Sequence, residues 1–300
     1  MRLLGGLGNQ MFQYALGRHL SIIHGRPLKL DLSFYGSAAA KSRWAPRNYN
    51  LAPFQIKGEV TTEADLNPFK KYLGQNFLSK TLRRLSALGK YYNRAYIFEP
   101  PKNYFVFDSR LLSAPLKPVV YLDGFWQTEK YFLPIENTIR QDFTFKDQPD
   151  EANRQMIAEI ESNNSVCIHI RHGDNATKIA AKHGVLPLSY YSEATQGLTA
   201  IIKNPHFYVF SDDPGWAKEN LKLNYPATFV SHNGDEKNYE DMRLMTHCKH
   251  HIIGNSTFSW WGAWLGKKPG QLVYAPKRYH IHDNIPTVDL YPDDWKLIIN

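Results

Sequence analysis

The stretch HHIIGNSTFSWWGAWL at residues 250–265 decides the fold. Its apolar beginning is typical of a short strand, Gly254 breaks the run, and the polar residues that follow are typical of a helix start. A helix that opens on Asn255, Ser256 and Thr257 presents unpaired backbone N–H groups at the positive end of its dipole, which suits a phosphate. An ordinary N-cap explains the same residues, so both interpretations stay open on this stretch alone.

Strand-like and helix-like segments alternate on both sides of this stretch. In the second half of the chain, strands are predicted at residues 166–170, 207–210, 252–253 and 272–275, and helices at 187–202, 238–247 and 259–265. In the first half, residues 3–7 are predicted as a strand, residues 11–23 as a helix and residues 28–32 as a strand. Alternating elements of this length predict the α/β class, with parallel sheets covered by helices on both faces.

The length and composition favour two globular domains. The chain has 300 residues, of which 43% are hydrophobic, and the polar, proline-broken residues 142–153 are the best linker candidate. The predicted domains are therefore residues 1–148 and 149–300. No apolar run reaches the ~20 residues that a membrane helix needs, and no signal peptide is recognised. Cys167 and Cys248 are too few for a disulfide framework, so a cytoplasmic location is expected.

The formal net charge of +8 indicates an anionic partner, which can be a nucleotide, a nucleic acid or an anionic membrane surface. Because the basic residues look scattered and no recognised nucleic-acid motif occurs, no nucleic-acid partner is expected. The histidines around Cys248 could form a zinc site, but adjacent histidines on a strand point in opposite directions, so no metal site is predicted. A glycan-binding module without catalysis is a further alternative.

Polar side chains follow the first predicted strand of the second half, at the end where parallel sheets gather ligands. They are His169, Arg171, His172 and Asp174. The permanently charged guanidinium of Arg171 can hold a diphosphate in bidentate fashion. A buried ion pair between Arg171 and Asp174 is the structural alternative.

Two more strand ends carry polar residues. Asp212 and Asp213 follow the second strand, where a carboxylate can accept from the N1 and N2 donors of guanine or can simply cap the next helix. The third strand end is the turn at residues 254–259. One cation, one acid and one anion-binding turn together predict a pocket for a nucleotide diphosphate.

Five segments resemble the characteristic blocks of the α-1,2-fucosyltransferases. They are GGLGNQMFQYALGRHL at 5–20, YLDGFWQTEKYF at 121–132, HIRHGD at 169–174, FSDDP at 210–214 and CKHHIIGNSTFSWWGAWL at 248–265. Five blocks in this order over almost the whole chain make the resemblance highly specific. It implies a GT-B type fold, in which two Rossmann-like domains with parallel sheets face each other across a cleft.

The resemblance also implies an activity and its partners. The activity is the inverting transfer of L-fucose from GDP-β-L-fucose to the 2-hydroxyl of a terminal β-galactoside, in surface glycan or O-antigen synthesis. A related fucosyltransferase with another acceptor or linkage is the alternative. GDP-fucose and a galactoside glycan are the expected partners. The acceptor can be lipid-linked, with the enzyme peripheral at the inner membrane.

Roles for particular residues follow from the resemblance. Arg171 would bind the β-phosphate, and His169 with either Asp212 or Asp213 would read guanine. The residues that would hold the diphosphate are Asn255, Ser256, Thr257, Phe258 and Ser259. His172 stands where the related motif has a second arginine, so a role that needs a second permanent charge is in doubt.

The amino-terminal half is expected to complete the site. By the same resemblance, Asn9 and Gln10 would face the donor. Acceptor recognition is assigned to Trp126, stacked on a galactose face, beside Gln127. Trp126 has an alternative place in the core, and the two interpretations are equally weighted.

The chemistry requires stabilisation of the leaving group, because breaking a glycosyl–phosphate bond leaves negative charge on the diphosphate. The sequence contains no Asp-x-Asp pair of the kind that metal-dependent transferases use. Arg171 and the helix start are therefore predicted to replace a metal, and no cofactor is expected. Asp174 is the first choice for the general base, ahead of His172, Glu240 and Asp241.

Overall fold

The computed structural model describes residues 1–37, 48–74, 76–86, 94–172, 184–280 and 285–300. The chain divides into two compact units, Met1–Phe145 with Ile285–Leu290, and Lys146–Asn284 with Tyr291–Asn300. No helix in these ranges is both long and apolar enough to cross a membrane.

The described α-helices are α1 (Leu7–His24), α2 (Glu63–Leu66), α3 (Lys70–Leu73), α4 (Phe77–Ser86), α5 (Arg110–Ser113), α6 (Glu136–Asp142), α7 (Glu151–Ser162), α8 (Leu188–Thr199), α9 (Pro214–Asn220), α10 (Asn238–His247) and α11 (Thr257–Leu265). The described strands are β1 (Lys29–Leu30), β2 (Glu59–Val60), β3 (Tyr96–Phe98), β4 (Tyr121–Asp123), β5 (Asn164–Ile170), β6 (Pro205–Ser211), β7 (Ala227–Val230), β8 (His250–Ile252), β9 (Val273–Pro276) and β10 (Lys296–Ile298).

The second unit contains a six-stranded sheet in the order β10-β9-β8-β5-β6-β7. Every neighbouring pair is parallel. Counted from β5, the first strand of this unit, the order is 3-2-1-4-5-6, which is that of a Rossmann fold. The strand order changes direction between β5 and β8. In such sheets the ligand crevice lies outside the carboxyl ends of these two strands.

Both faces of this sheet are covered, as the apolar runs of its strands predict. Val166 and Ile168 of β5 belong to the same buried cluster as Tyr191 of α8. Cys167, between them, packs on the opposite face with Leu244 of α10. Side chains alternate along a strand, so the next residue on the Cys167 face is His169.

Tryptophan packing fixes helix α11 in the second unit. The Trp260 ring lies 5.1 Å from Trp261 and 5.5 Å from Trp295, centroid to centroid. Trp261 and Trp264 are also buried and 5.2 Å apart. Aromatic pairs at these distances stabilise a core beyond their buried area. At the amino-terminal end of α11, Phe258 packs against the buried cluster that contains Cys167 of β5.

In the first unit, the extended residues at the start of the chain lie between two small parallel sheets, β1–β2 and β3–β4. The Arg2 N–H donates to the Leu122 carbonyl oxygen at 3.0 Å, and the Leu3 N–H donates to the Asp31 carbonyl oxygen at 3.0 Å. The hydrogen-bonded series is thus β2, β1, the residues at 1–3, β4 and β3. The first three residues of the chain therefore lie at the centre of this series.

The predicted strand at residues 3–7 is wrong, because none of these residues lies in a strand and only Arg2, just before them, forms a β-bridge, with Asp31. Gly5 has a φ of +76°, a left-handed conformation that favours glycine, and Leu7 is already the first residue of α1. The buried Gln13 side chain accepts the Leu4 N–H at 2.9 Å and donates to the Gly124 carbonyl oxygen at 2.9 Å. The glycine turn is therefore closed by the helix that follows it.

A segment from near the end of the chain also belongs to the first unit. The carboxylate of Asp289 accepts the Phe107 N–H at 2.7 Å and lies 2.6 Å from the Lys130 Nζ atom. The Asp289 N–H donates in turn to the Phe105 carbonyl oxygen at 3.0 Å. These contacts fix the segment Ile285–Leu290 on this unit.

Glu99 is a buried acid at the end of β3. Its Oε2 atom accepts the backbone N–H groups of Phe125 at 2.6 Å and Trp126 at 2.9 Å. Burial raises the pKa of Glu99 to about 8, opposed by these two hydrogen bonds and assisted by the nearby Asp123 charge. The carboxyl group is therefore largely protonated at neutral pH.

We expect Glu99 to make the first unit less stable as the pH rises. Its pKa is about 8 in the folded chain against an ordinary value of 4.5, so the folded chain holds the proton that the unfolded chain loses. The free energy of unfolding should decrease from about pH 5 to pH 9, and Glu99→Gln should reduce that decrease. Urea denaturation at several pH values in this range measures how the free energy of unfolding of each protein changes with pH. Glu63→Gln, at an exposed carboxylate of the same unit, should keep the pH dependence of the wild type. The same pH dependence in all three proteins would contradict the raised pKa of Glu99.

Candidate active site

The carboxyl ends of β5 and β8 lie side by side. Ile168 pairs with Ile252 in register, which brings the residues after β5 level with the turn after β8. Gly254 makes this approach possible, because a Cβ atom there would lie 2.9 Å from the His169 carbonyl oxygen and 3.3 Å from its Nδ1 atom. Arg171 and the turn at residues 254–259 are thus at the point where the strand order changes direction.

His169 is a buried, uncharged imidazole at this point. Burial lowers its pKa to about 4, the Asp212 charge raises it, and the Arg171 charge lowers it further. Its Nδ1 atom is buried and has no hydrogen-bond partner among the described residues. The ring lies 5.8 Å from that of Phe258. His169 therefore contributes a neutral polar group, not a charge.

His172 is held by the residues that follow β6. Its backbone N–H donates to the Asp212 Oδ1 atom at 2.7 Å, and its Nδ1 atom lies 3.2 Å from the Asp213 Oδ2 atom. The His172 ring stacks on Trp216 with centroids 3.7 Å apart. Asp213 also caps α9, because its Oδ1 atom accepts the Trp216 N–H at 3.0 Å. The capping alternative thus applies to Asp213, while Asp212 fixes the backbone beyond Arg171.

Several side chains at the start of α11 have partners inside the protein. Ser256 is the N-cap, and its hydroxyl accepts the Phe258 N–H at 3.3 Å. The Asn255 amide donates to the Tyr279 carbonyl oxygen at 3.2 Å. The Ser259 hydroxyl donates to the Ser256 carbonyl oxygen at 3.2 Å. Asn255 and Ser259 were predicted to contact the diphosphate. In the structure, their side chains stabilise the turn itself.

Tyr279 is a site residue that the sequence analysis missed. Burial raises its pKa, whereas the Arg171 guanidinium and hydrogen bonds from the Thr257 backbone and side chain lower it. The phenol oxygen is therefore hydrogen-bonded at the start of α11, and the positive charge of Arg171 acts on it. Tyr279 follows β9 in an irregular segment, and no sequence pattern marks it.

The residues predicted in the first unit have different environments. Asn9 and Gln127 form a pair, with the Gln127 amide donating to the Asn9 Oδ1 atom at 2.8 Å. The fully buried Gln10 amide donates to the Gly5 and Asn48 carbonyl oxygens at 3.1 and 2.8 Å and accepts the Asn50 N–H at 2.8 Å. Gln10 therefore connects the glycine turn to residues 48 and 50. A contact between its amide and the donor substrate would break these hydrogen bonds.

The proposed stacking of Trp126 on a sugar is wrong. The side chain is only 1% exposed, and its ring packs edge-on against Tyr131 with centroids 6.0 Å apart. A buried indole cannot present a face to a ligand. The alternative, a place in the core, is the one that the structure shows.

The candidate bases differ in what the structure shows of them. Asp174 lies outside the described residues. Glu240 is buried in an ion pair with Arg243, with Oε2 and Nε 2.7 Å apart. Burial raises the pKa of Asp241 to about 6, although the Asn233 amide donates to it. Within the described ranges, no three His, Cys, Asp or Glu side chains are grouped to hold a metal ion.

Comparisons with known proteins agree with this architecture. The model of glycosyl transferase family 11 matches residues 57–296. An α-1,2-colitosyltransferase of Escherichia coli is 33% identical over 98% of this chain and 96% of its own length. The O-antigen biosynthesis glycosyltransferase WbnK of Escherichia coli is 30% identical over 98% of both chains. Galactoside α-(1,2)-fucosyltransferase 2 of Pongo pygmaeus is 24% identical over 90% of this chain and 69% of its own.

A solved structure shares the fold. FUT1 of Arabidopsis thaliana, a mutant in complex with GDP, superposes with a TM-score of 0.52 at 11% identity, over 97% of this chain and 73% of its own. The predicted fold class, α/β of the GT-B type, is confirmed. The resemblance to the α-1,2-fucosyltransferases is confirmed as a family relationship.

Replacement of Gly254 should disturb the site locally. A methyl group would meet the His169 backbone at 2.9 Å, so β5 and β8 must separate, which we expect to destabilise the protein by about 1–3 kcal/mol. Urea denaturation measures this loss of stability. The control is Gly234→Ala, where a Cβ atom meets nothing within 4 Å. Wild-type stability in Gly254→Ala would refute the close approach.

Proposed function

Because the chain belongs to glycosyl transferase family 11, we propose that it transfers L-fucose from GDP-β-L-fucose to the 2-hydroxyl of a terminal β-galactoside, with inversion. One observation carries the proposal: the register of β5 with β8 and the close approach of Gly254 to His169 place Arg171 beside the start of α11, where the strand order of the Rossmann sheet changes direction. A cation and a helix amino terminus at that point suit a nucleotide diphosphate. Relatives named for α-1,2 transfer of deoxy sugars support the linkage.

In this proposal, one group of residues binds the diphosphate and another recognises the base. Arg171 is assigned to the β-phosphate, where its charge stabilises the diphosphate as it departs. Thr257 and Phe258 are assigned to the same diphosphate through the helix start, where diphosphate oxygens would replace the Tyr279 phenol and the Ser256 hydroxyl as acceptors of their N–H groups. His169 and Asp212 are assigned to guanine, because a neutral imidazole and a carboxylate discriminate through hydrogen bonds. No metal is required in this scheme, since the guanidinium and the helix dipole supply the positive charge.

A second donor deserves a direct test. The colitosyltransferase relative matches almost the full length of this chain, and colitose differs from L-fucose by the loss of the 3-hydroxyl. GDP-colitose would use the same diphosphate site. The enzyme can discriminate between the two donors only through groups that contact position 3 of the sugar.

The acceptor is proposed to be a surface or O-antigen glycan, in line with the relative of that name.

We expect turnover of GDP-fucose with a β-galactoside and none with the matching β-glucoside. The measurement is GDP release, followed by linkage analysis of the product, with GDP-colitose run in parallel. Activity in excess EDTA should equal activity without it. A strict requirement for Mg²⁺ or Mn²⁺ would overturn the metal-free scheme. Faster turnover of GDP-colitose would reassign the donor, and hydrolysis of GDP-fucose without transfer would overturn the proposed acceptor chemistry.

Arg171→Ala should lower kcat by about 10²- to 10³-fold, because it removes charge stabilisation that grows as the diphosphate departs. Arg171→Lys should recover part of the rate, since it restores a point charge without bidentate geometry. Arg154→Ala, at an exposed arginine of the same unit, serves as the control and should keep wild-type kcat. Near-normal kcat in Arg171→Ala would exclude the leaving-group role.

Asp174 is our proposed general base, and its test separates it from donor binding. Asp174→Asn keeps the size of the side chain but cannot accept the acceptor's proton. We expect kcat to fall by about 10²- to 10⁴-fold, with GDP affinity unchanged by calorimetry. If turnover stays near the wild-type value, the base is another residue, and His172 is the next candidate.

A further inference from the structure

Helix α4 has three of its four apolar side chains on the outside. Phe77 is 85% exposed, Leu78 is 65% exposed and Leu85 is 54% exposed, while the small polar Ser79 is buried. Residues 77, 78, 81 and 85 share one side of a helix by their spacing. Surface helices of globular proteins show the opposite arrangement. An apolar stripe of this kind indicates an interaction surface.

Hydrogen bonds fix α4 in this orientation. The Ser79 N–H donates to the Asn76 Oδ1 atom at 2.8 Å at its beginning. In its middle, the Arg83 guanidinium donates to the Gly74 carbonyl oxygen at 2.9 Å and to that of Tyr72. At its end, the Arg94 guanidinium donates to the Leu85 carbonyl oxygen at 2.9 Å. The helix therefore cannot turn its apolar side inward without losing these bonds.

The positive charge of the chain is concentrated around this helix. Residues 66–98 contain seven of the 36 Lys and Arg residues and none of the 28 Asp and Glu residues. The rest of the chain, with 29 basic and 28 acidic residues, is nearly neutral. Most basic residues are scattered, as expected, but those of residues 66–98 have no acidic residues near them in sequence to balance their charge. On α4 itself, Lys80 and Arg84 are exposed and border the apolar stripe.

We propose that α4 lies on the surface of a bilayer with anionic headgroups. Phe77, Leu78 and Leu85 would enter the boundary between headgroups and acyl chains, and Lys80 and Arg84 would contact lipid phosphates. Nucleic acid fits less well, because a phosphate backbone attracts the cations but offers nothing to three exposed apolar side chains. The proposal does not depend on which donor or acceptor the enzyme uses.

Vesicle sedimentation tests the proposal with the full chain. The probes are vesicles of phosphatidylcholine alone and vesicles in which about a third of the lipid is phosphatidylglycerol. The protein should sediment with the anionic vesicles, less with the neutral ones, and less again at high salt. Lys80→Gln with Arg84→Gln should weaken anionic binding by about tenfold or more. Phe77→Gln, Leu78→Gln and Leu85→Gln together should abolish binding, since glutamine keeps helix propensity but cannot enter the bilayer.

Matched controls come from exposed residues elsewhere. Lys203→Gln with Lys218→Gln removes two exposed charges, and Ile201→Gln, Val288→Gln and Ile299→Gln together remove three exposed apolar side chains. Both should bind vesicles like the wild type. Circular dichroism and GDP affinity should be unchanged in every variant. Three results would overturn the proposal: no sedimentation of the wild type, wild-type binding by the α4 variants, or displacement from vesicles by RNA at equal phosphate concentration.

Discussion

The site depends on the close approach of two parallel strands, β5 and β8. Their backbones meet where Gly254 lies against the His169 carbonyl oxygen, at a distance that leaves no room for a Cβ atom. The strand order changes direction at the same place, because β6 lies on one side of this pair and β9 on the other, and a crevice is expected outside their carboxyl ends. The opening is thus a property of the sheet, and the side chains around it only define what it accepts.

Burial sets the electrostatics of this opening. It lowers the pKa of His169 to about 4 and keeps that ring neutral. Arg171 cannot lose its charge, so it is the permanent cation at the end of β5. The α11 dipole adds partial positive charge from the same side. In the function that we propose, the neutral imidazole of His169 would recognise the base by hydrogen bonds and the fixed charge of Arg171 would bind the diphosphate, so that the two roles do not interfere with each other.

Patterns along the chain predicted the second unit better than the first. Buried runs such as that of β5, and the helical spacing of α10, are visible in sequence because both sheet faces are covered. The first unit is built from strands of two or three residues, too short to show a period. Its contacts also join distant positions, such as Asp289 with Phe107. Tyr279 was missed for the same reason: its role comes from proximity to Thr257 and Arg171, and nothing in its own segment signals it.

The positive net charge of the chain comes from the segment 66–98 and not from the residues of the candidate site. A diphosphate pocket needs one fixed cation and a few oriented N–H groups, and those add almost nothing to the total charge. Outside residues 66–98 the chain is nearly neutral, although it contains Arg171 and the start of α11. The excess charge lies in the segment that contains α4, a helix that exposes phenylalanine and leucine. A surface that is both cationic and apolar matches the headgroups and acyl chains of the anionic bilayer that we propose for it.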